Sequence, residues 1–99
     1  MDKEKFIEIW DLHSSEEYAN FNMIKNKPNE SADLSAFITL HKFVKNKEAD
    51  IINSAEHDEI YLMGIEDLNL EKITENDIIT LIRCGVRLDK EMEYFCMFI

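Results

Sequence analysis

The chain has 99 residues, of which 45% are hydrophobic and 10% aromatic, so it can bury one globular core and is too apolar for a disordered chain. Its two glycines, its single proline and its short apolar runs exclude collagen-like, linker-like and membrane-spanning classes. Against 21 acidic residues there are 11 basic ones, and a net charge of −10 argues against direct binding to nucleic acid or to an anionic membrane.

The first fifty residues contain two candidate helices. Residues 2–12 group several apolar side chains in a spacing that fits a helix and a strand equally, so the choice stays open: Phe6, Ile7, Ile9 and Trp10. Ser14 followed by Glu17 has the pattern of a capping box. It predicts a short helix over residues 15–26, which Pro28 ends.

The middle of the chain favours a longer helix and then a strand. Apolar positions recur at threes and fours over residues 34–55, which predicts one long helix or two helices broken near Asn46. A strand over residues 37–40 is the minor alternative. Residues 59–65 predict a strand covered on both faces. Residues 66–73 follow as an acidic connection with its leucine and isoleucine side chains turned inward.

Local signals are clearest for a helix over residues 74–85. Thr74 is placed as its N-cap with Asp77 three residues on, and Gly85 can adopt the left-handed conformation that ends a helix. A turn over residues 88–90 leads to a closing strand.

The closing strand, residues 92–99, is apolar on both faces. It therefore needs burial, either in the middle of a sheet or against a partner chain. Taken together, the elements predict a single small α+β domain over residues 1–99, with three to four helices packed on a small β-sheet.

The two cysteines and the N-terminus indicate a cytoplasmic protein. Cys84 and Cys96 have no zinc-ligand spacing, and the charged start of the chain has no apolar segment typical of a secretory signal. We expect two free thiols in a reducing compartment, with one disulfide left as an alternative. No metal and no cofactor is predicted.

Enzyme motifs are missing from the sequence. It has no glycine-rich phosphate loop, no nucleophile elbow and no zinc-protease helix. His13 and Ser14 are neighbours, but Ser14 is better used as a helix cap than as a nucleophile. We therefore expect a protein that is not an enzyme. A small acid–base enzyme or ligand binder built on His41 or His57 is the minor alternative.

Acidic residues concentrate in the second half of the chain. Residues 1–50 carry a net charge of −3 and residues 51–99 a net charge of −7. We predict that one acidic segment supplies the partner-binding residues Glu56, Asp58, Glu59, Glu66, Asp67, Glu71, Glu75 and Asp77. Trp10 is added as a candidate anchor, because tryptophan is frequent among the residues that dominate interfaces.

These features favour a protein that acts by binding a basic or DNA-binding host protein. In the strongest form of this hypothesis the acidic face mimics the phosphates of DNA. Ile, Asn, Lys and Glu, which mostly use AT-rich codons, account for 43 residues. Small size, acidity and this composition are typical of phage or mobile-element inhibitors of host defence. The alternative is a structural or regulatory homo-oligomer, for example a homodimer, assembled through the C-terminal hydrophobic strand.

Overall fold

Three α-helices and a four-stranded antiparallel sheet form an α+β domain in the computed structural model, which describes residues 1–98. In chain order the elements are α1 (Lys3–Glu17), α2 (Ala32–Phe43), β1 (Ile52–Glu56), β2 (Glu59–Gly64), α3 (Glu75–Arg83), β3 (Arg87–Asp89) and β4 (Tyr94–Phe98). The predicted fold class is confirmed. None of the helices within residues 1–98 is long and apolar enough to cross a membrane.

The C-terminal strand lies inside the sheet. The strand order is β1-β2-β4-β3, so β4 pairs with β2 on one side and with β3 on the other. Residues 87–89 form strand β3, which corrects the turn predicted over residues 88–90. Because both edges of β4 are hydrogen-bonded within the chain, its apolar sequence is explained without a partner chain.

The core lies between the helices and one face of the sheet. At its centre three aromatic rings meet, with centroids 5.4 to 6.0 Å apart: Phe6, Trp10 and Phe95. Leu62 of β2 and Leu81 of α3 are fully buried in the same core. Rings at these distances and tilts attract each other, and this attraction adds to the stabilisation that comes from burying their apolar area.

Helix α1 runs through the position where a second helix was predicted to begin. Asp2 is the N-cap, and its carboxylate accepts a hydrogen bond from the Lys5 N–H at 2.8 Å. The open choice for residues 2–12 is therefore settled as helix. The predicted cap at Ser14 is wrong, because Ser14 is an internal residue of α1 and its hydroxyl donates to the Asp11 carbonyl. Residues 15–26 contain only the end of α1 and one 3-10 turn.

The turn that ends α1 holds an alanine in an unfavourable backbone conformation. Ala19 has a φ of 59°, and the Asn20 N–H donates to the Glu17 carbonyl at 3.2 Å, as in a type II turn. This turn position favours glycine because a Cβ is crowded there. We expect Ala19→Gly to raise the free energy of unfolding by about 0.5–1 kcal/mol.

Urea unfolding of Ala19→Gly and of the unaltered protein measures this gain in stability. Ala49→Gly is the control, since Ala49 is also exposed but does not have a positive φ. Glycine at Ala49 should destabilise slightly through the greater entropy of the unfolded chain. A loss of stability in both variants would contradict the assignment of strain to Ala19.

Helix α2 ends at Phe43, well before the end of the predicted long helix. The backbone beyond it is hydrogen-bonded elsewhere: the Lys45 N–H donates to the Asp67 carbonyl, and the Phe43 carbonyl accepts from the Asn69 N–H. Lys47 caps the last carbonyls of the helix with its ammonium group. Residues 52–56 form β1, so the helix predicted over them is wrong.

Helix α3 confirms the helix that was predicted over residues 74–85 from the capping residues at its two ends. Thr74 and Asp77 form a reciprocal capping box. Gly85 has a φ of 94° and, with Val86, donates to the last turn in the pattern of a Schellman motif.

Candidate functional site

The predicted acidic segment is spread over three places in the fold. Glu56, Asp58 and Glu59 lie at the hairpin that joins β1 and β2. Two 3-10 turns beyond the other end of β2 carry the next group: Glu66, Asp67 and Glu71. A six-residue strand spans about 20 Å, so these two groups lie at opposite ends of the sheet. Glu75 and Asp77 form the third group, at the N-terminus of α3.

Half of these eight carboxylates have structural partners. Glu59 forms an ion pair with Arg87, and the Asp67 carboxylate accepts from the Gly64 N–H at 2.9 Å. Asp77 belongs to the capping box of α3. Glu75 Oε2 lies 2.6 Å from Nε2 of His13, which ties α3 to α1. The remaining four are exposed: Glu56, Asp58, Glu66 and Glu71.

Trp10 lies in the core, so the prediction of an exposed anchor at this position is wrong. Only 3% of its surface is exposed, because its ring packs against Phe6 and Phe95 beneath the sheet. The apolar pattern of residues 2–12 belongs to the buried side of α1. The two most exposed aromatic side chains of residues 1–98, Tyr94 and Phe98, lie on the opposite face of the sheet.

That opposite face is left uncovered by the helices. Directly paired residues of antiparallel strands point to the same side, so the strand register identifies its members. We call this surface the open sheet face, and its residues are Ser54, Glu56, Glu59, Tyr61, Arg87, Asp89, Tyr94, Cys96 and Phe98. Tyr94 and Phe98 remain 43% and 58% exposed.

Arg87 organises the centre of the open sheet face. Its guanidinium carbon lies 3.9 Å from the ring centroid of Phe98, and the group forms an ion pair with Glu59. Tyr61 donates from its hydroxyl to the Glu59 carboxylate at 3.3 Å. These contacts hold the Arg87 and Glu59 side chains in place, and the ion pair neutralises the one arginine of the face. Cys96, on the same face, is 5% exposed, and its burial raises the pKa of the thiol.

A groove of about 350 Å³ runs across this face. Tyr61 and Tyr94 border it, and the carboxylates of Glu56 and Asp89 lie along its rim. Met92, which is 62% exposed, forms one wall. Asp89 accepts from the N–H groups of the following turn through Oδ1, and its other carboxylate oxygen accepts no hydrogen bond within residues 1–98.

Two larger grooves have a different character. One of about 430 Å³ lies between the loop after α2 and the 3-10 turn Ile65–Asp67 that follows β2, and Lys45 borders it together with Asp50 and Glu66. Another of about 410 Å³ lies between the second half of α1 and β3, with Lys90 and Arg87 on its border. Both mix the two signs of charge, whereas the groove on the open sheet face combines two tyrosine rings with an acidic rim.

The histidines proposed for the minor enzyme alternative are exposed and lie apart. His41 lies in the last turn of α2, with its Nε2 atom 3.1 Å from the Lys47 carbonyl oxygen. His57 occupies the hairpin tip with a φ of 50°. Within residues 1–98, no three histidine, cysteine or carboxylate side chains are arranged to hold a metal ion. Cys84 and Cys96 are free and buried.

Sequence reasoning found the acidic residues but missed the open sheet face. Its members come from four strands, and only the register shows that Tyr61, Arg87 and Phe98 share a surface. The one signal in the sequence was that the closing strand over residues 92–99 is apolar on both faces, so one of these faces could lie outside the core. No family model, no curated protein and no solved structure matches the chain.

Proposed function

We propose that this protein is a non-enzymatic binding protein that docks a basic partner protein on its open sheet face. The observation that carries the proposal is the groove on that face, where Tyr61 and Tyr94 lie between the carboxylates of Glu56 and Asp89. Aromatic side chains with a polar or charged rim are the usual composition of a binding surface. The rim is acidic, and so is the chain, with a net charge of −10.

Charge complementarity indicates that the partner is basic. A negative rim attracts Lys and Arg side chains, speeds association and repels acidic proteins. Proteins that bind DNA carry such basic surfaces, so a phage or mobile-element inhibitor of a host DNA-binding protein has the required chemistry. The free, buried thiols suit the reducing cytoplasm in which that inhibitor would act.

The three separate groups of acidic residues argue against the DNA-mimic form of this function. A mimic needs an unbroken row of charges spaced like phosphates, whereas here the hairpin group and the 3-10 group lie at opposite ends of β2. Aromatic docking with electrostatic steering therefore explains the surface better than imitation of a nucleic acid.

Selection from a displayed library of randomised nonapeptides tests the proposal. We expect the selected peptides to be enriched in Lys and Arg and depleted in Asp and Glu, with affinities that fall as salt is raised. Their binding to the double variant Tyr94→Ser, Phe98→Ser should weaken about tenfold or more, since both exposed rings are lost.

A second double variant, Leu12→Ser with Met23→Ser, is the matched control. These side chains are 67% and 62% exposed and lie outside the sheet, so their loss removes similar apolar surface elsewhere. Selected peptides should bind this control as tightly as the unaltered protein. Failure to select any peptide, selection of acidic peptides, or equal weakening in both double variants would overturn the proposal.

A further inference from the structure

Strand β1 forms an edge of the sheet that nothing covers within residues 1–98. It pairs with β2 on one side only, and all five of its residues are exposed. Edge strands are ordinarily protected by lysine, proline or a covering segment, because their free N–H and C=O groups pair readily with another chain. β1, with the sequence INSAE, contains neither lysine nor proline, and the bulge between Ile52 and Ser54 precedes its regular stretch, Ser54 to Glu56.

The register identifies the backbone groups that face outward. Glu56 and Glu59 flank the two-residue turn of the hairpin, so they form the pair that exchanges both hydrogen bonds. The next pair, Ala55 with Ile60, is therefore not hydrogen-bonded, and the N–H and C=O of Ala55 point away from β2. These two groups are available to an added strand.

An added strand would also bring side chains to the open sheet face. Its alternate residues would lie beside Ser54 and Glu56, about 4.8 Å from β1 and two strand spacings from Tyr61. A Lys or Arg stem can cross that distance while its charge meets the Glu56 carboxylate or the Tyr61 ring. Backbone pairing would supply affinity, and the groove would supply selectivity for basic side chains.

We propose that an extended segment of the basic partner adds to the free edge of β1 as a fifth strand, with Lys or Arg at alternate positions over Glu56 and Tyr61. This inference rests on the proposed function and specifies how the partner binds. A second copy of the chain is the less suitable occupant, because each copy carries a net charge of −10.

The variant Ala55→Pro tests strand addition. Proline removes the outward N–H and places its ring on the free edge, while the bonds between β1 and β2 need no donor at this position. The probe is the tightest peptide from the selection described above, made synthetically. We expect its affinity to fall about tenfold or more in Ala55→Pro and to change by less than about threefold in Ala55→Thr, which keeps the N–H.

Amide exchange in the unaltered protein provides a measurement that does not depend on the folding of a variant. The Ala55 N–H faces solvent in the free protein, so bound peptide should slow its exchange about tenfold or more. The Glu56 N–H, already bonded within the hairpin, is the internal control and should change far less.

The possible outcomes separate the two proposals. Strand addition would be overturned if the peptide left the exchange at Ala55 unchanged and bound Ala55→Pro fully. The proposed function would still stand if the Tyr94 and Phe98 double variant lost peptide binding. Absence of any basic binder in the selection would overturn both. Protection of Ala55 that rises with protein concentration without peptide would overturn the partner strand in favour of a second copy.

Discussion

Replacing Phe95 by alanine should lower the free energy of unfolding by about 3–5 kcal/mol. Phe95 is fully buried on the central strand β4, and its ring meets Trp10 at 5.4 Å and Phe6 at 6.0 Å between centroids. Alanine would remove these contacts and leave a cavity that the flanking strands β2 and β3 hold open. Since small domains unfold at a cost of about 5–15 kcal/mol, much of the total stability would be lost.

Phe98→Ala is the matched control for this prediction. Phe98 is the same residue type on the same strand, but it lies on the open sheet face and is 58% exposed. Its loss removes the contact with Arg87 and should cost less than about 1 kcal/mol. Urea unfolding followed by the fluorescence of Trp10, the only tryptophan, reports both variants. Equal losses in the two variants would contradict the placement of the core.

Elements with short-range signals could be predicted from the sequence. The ends of α3 are set by Thr74, Asp77 and Gly85, whose side chains or backbone conformations act within one turn of the helix. Strand β2 was evident from its run of β-branched, aromatic and aliphatic residues over 59–65. The burial of β4 followed from its length of apolar sequence, which has no other favourable location in one small domain.

Elements decided by distant contacts could not be predicted. Ser14 and Glu17 have the pattern of a helix start, but α1 continues through them. Its second half is held by residues far along the chain, where His13 contacts Glu75 and Glu17 accepts from Arg83. Likewise β1 has a helical spacing of apolar residues and becomes a strand because β2 supplies its hydrogen-bonding partner. Pairing with a neighbour outweighs local preference in such segments.

The candidate site required the same non-local information. The acidic count was visible in the sequence, yet the fold divides those carboxylates among a hairpin, two 3-10 turns and a helix N-terminus. The groove on the open sheet face instead combines Glu56 with Asp89, a residue outside the predicted segment. Net charge therefore suggests the chemistry of the partner that we propose, whereas the surface on which we propose that it docks can be identified only from the sheet register.

Cys84 should make the protein progressively less stable as the pH rises above about 9, because burial raises the pKa of its thiol from 9.0 to about 11. The unfolded chain loses this proton at the ordinary pKa, whereas the folded protein retains it until the pH reaches its higher value. Between the two pKa values the folded state binds more protons, so rising pH favours unfolding. Near pH 10.5 the loss should reach about 2 kcal/mol relative to pH 8.

The variant Cys84→Ala isolates this contribution. Cys84 is 3% exposed at the end of α3, and alanine keeps most of the packing there without a titrating group. Burial also raises the pKa of the Cys96 thiol, but Cys96 is present in both proteins, so its effect cancels in the comparison. Urea unfolding at pH 8 and near pH 10.5 should show the smaller decline in the variant. Parallel declines would mean that the Cys84 thiolate is tolerated in the folded core, and the buried thiol would then have to gain access to water without unfolding of the domain.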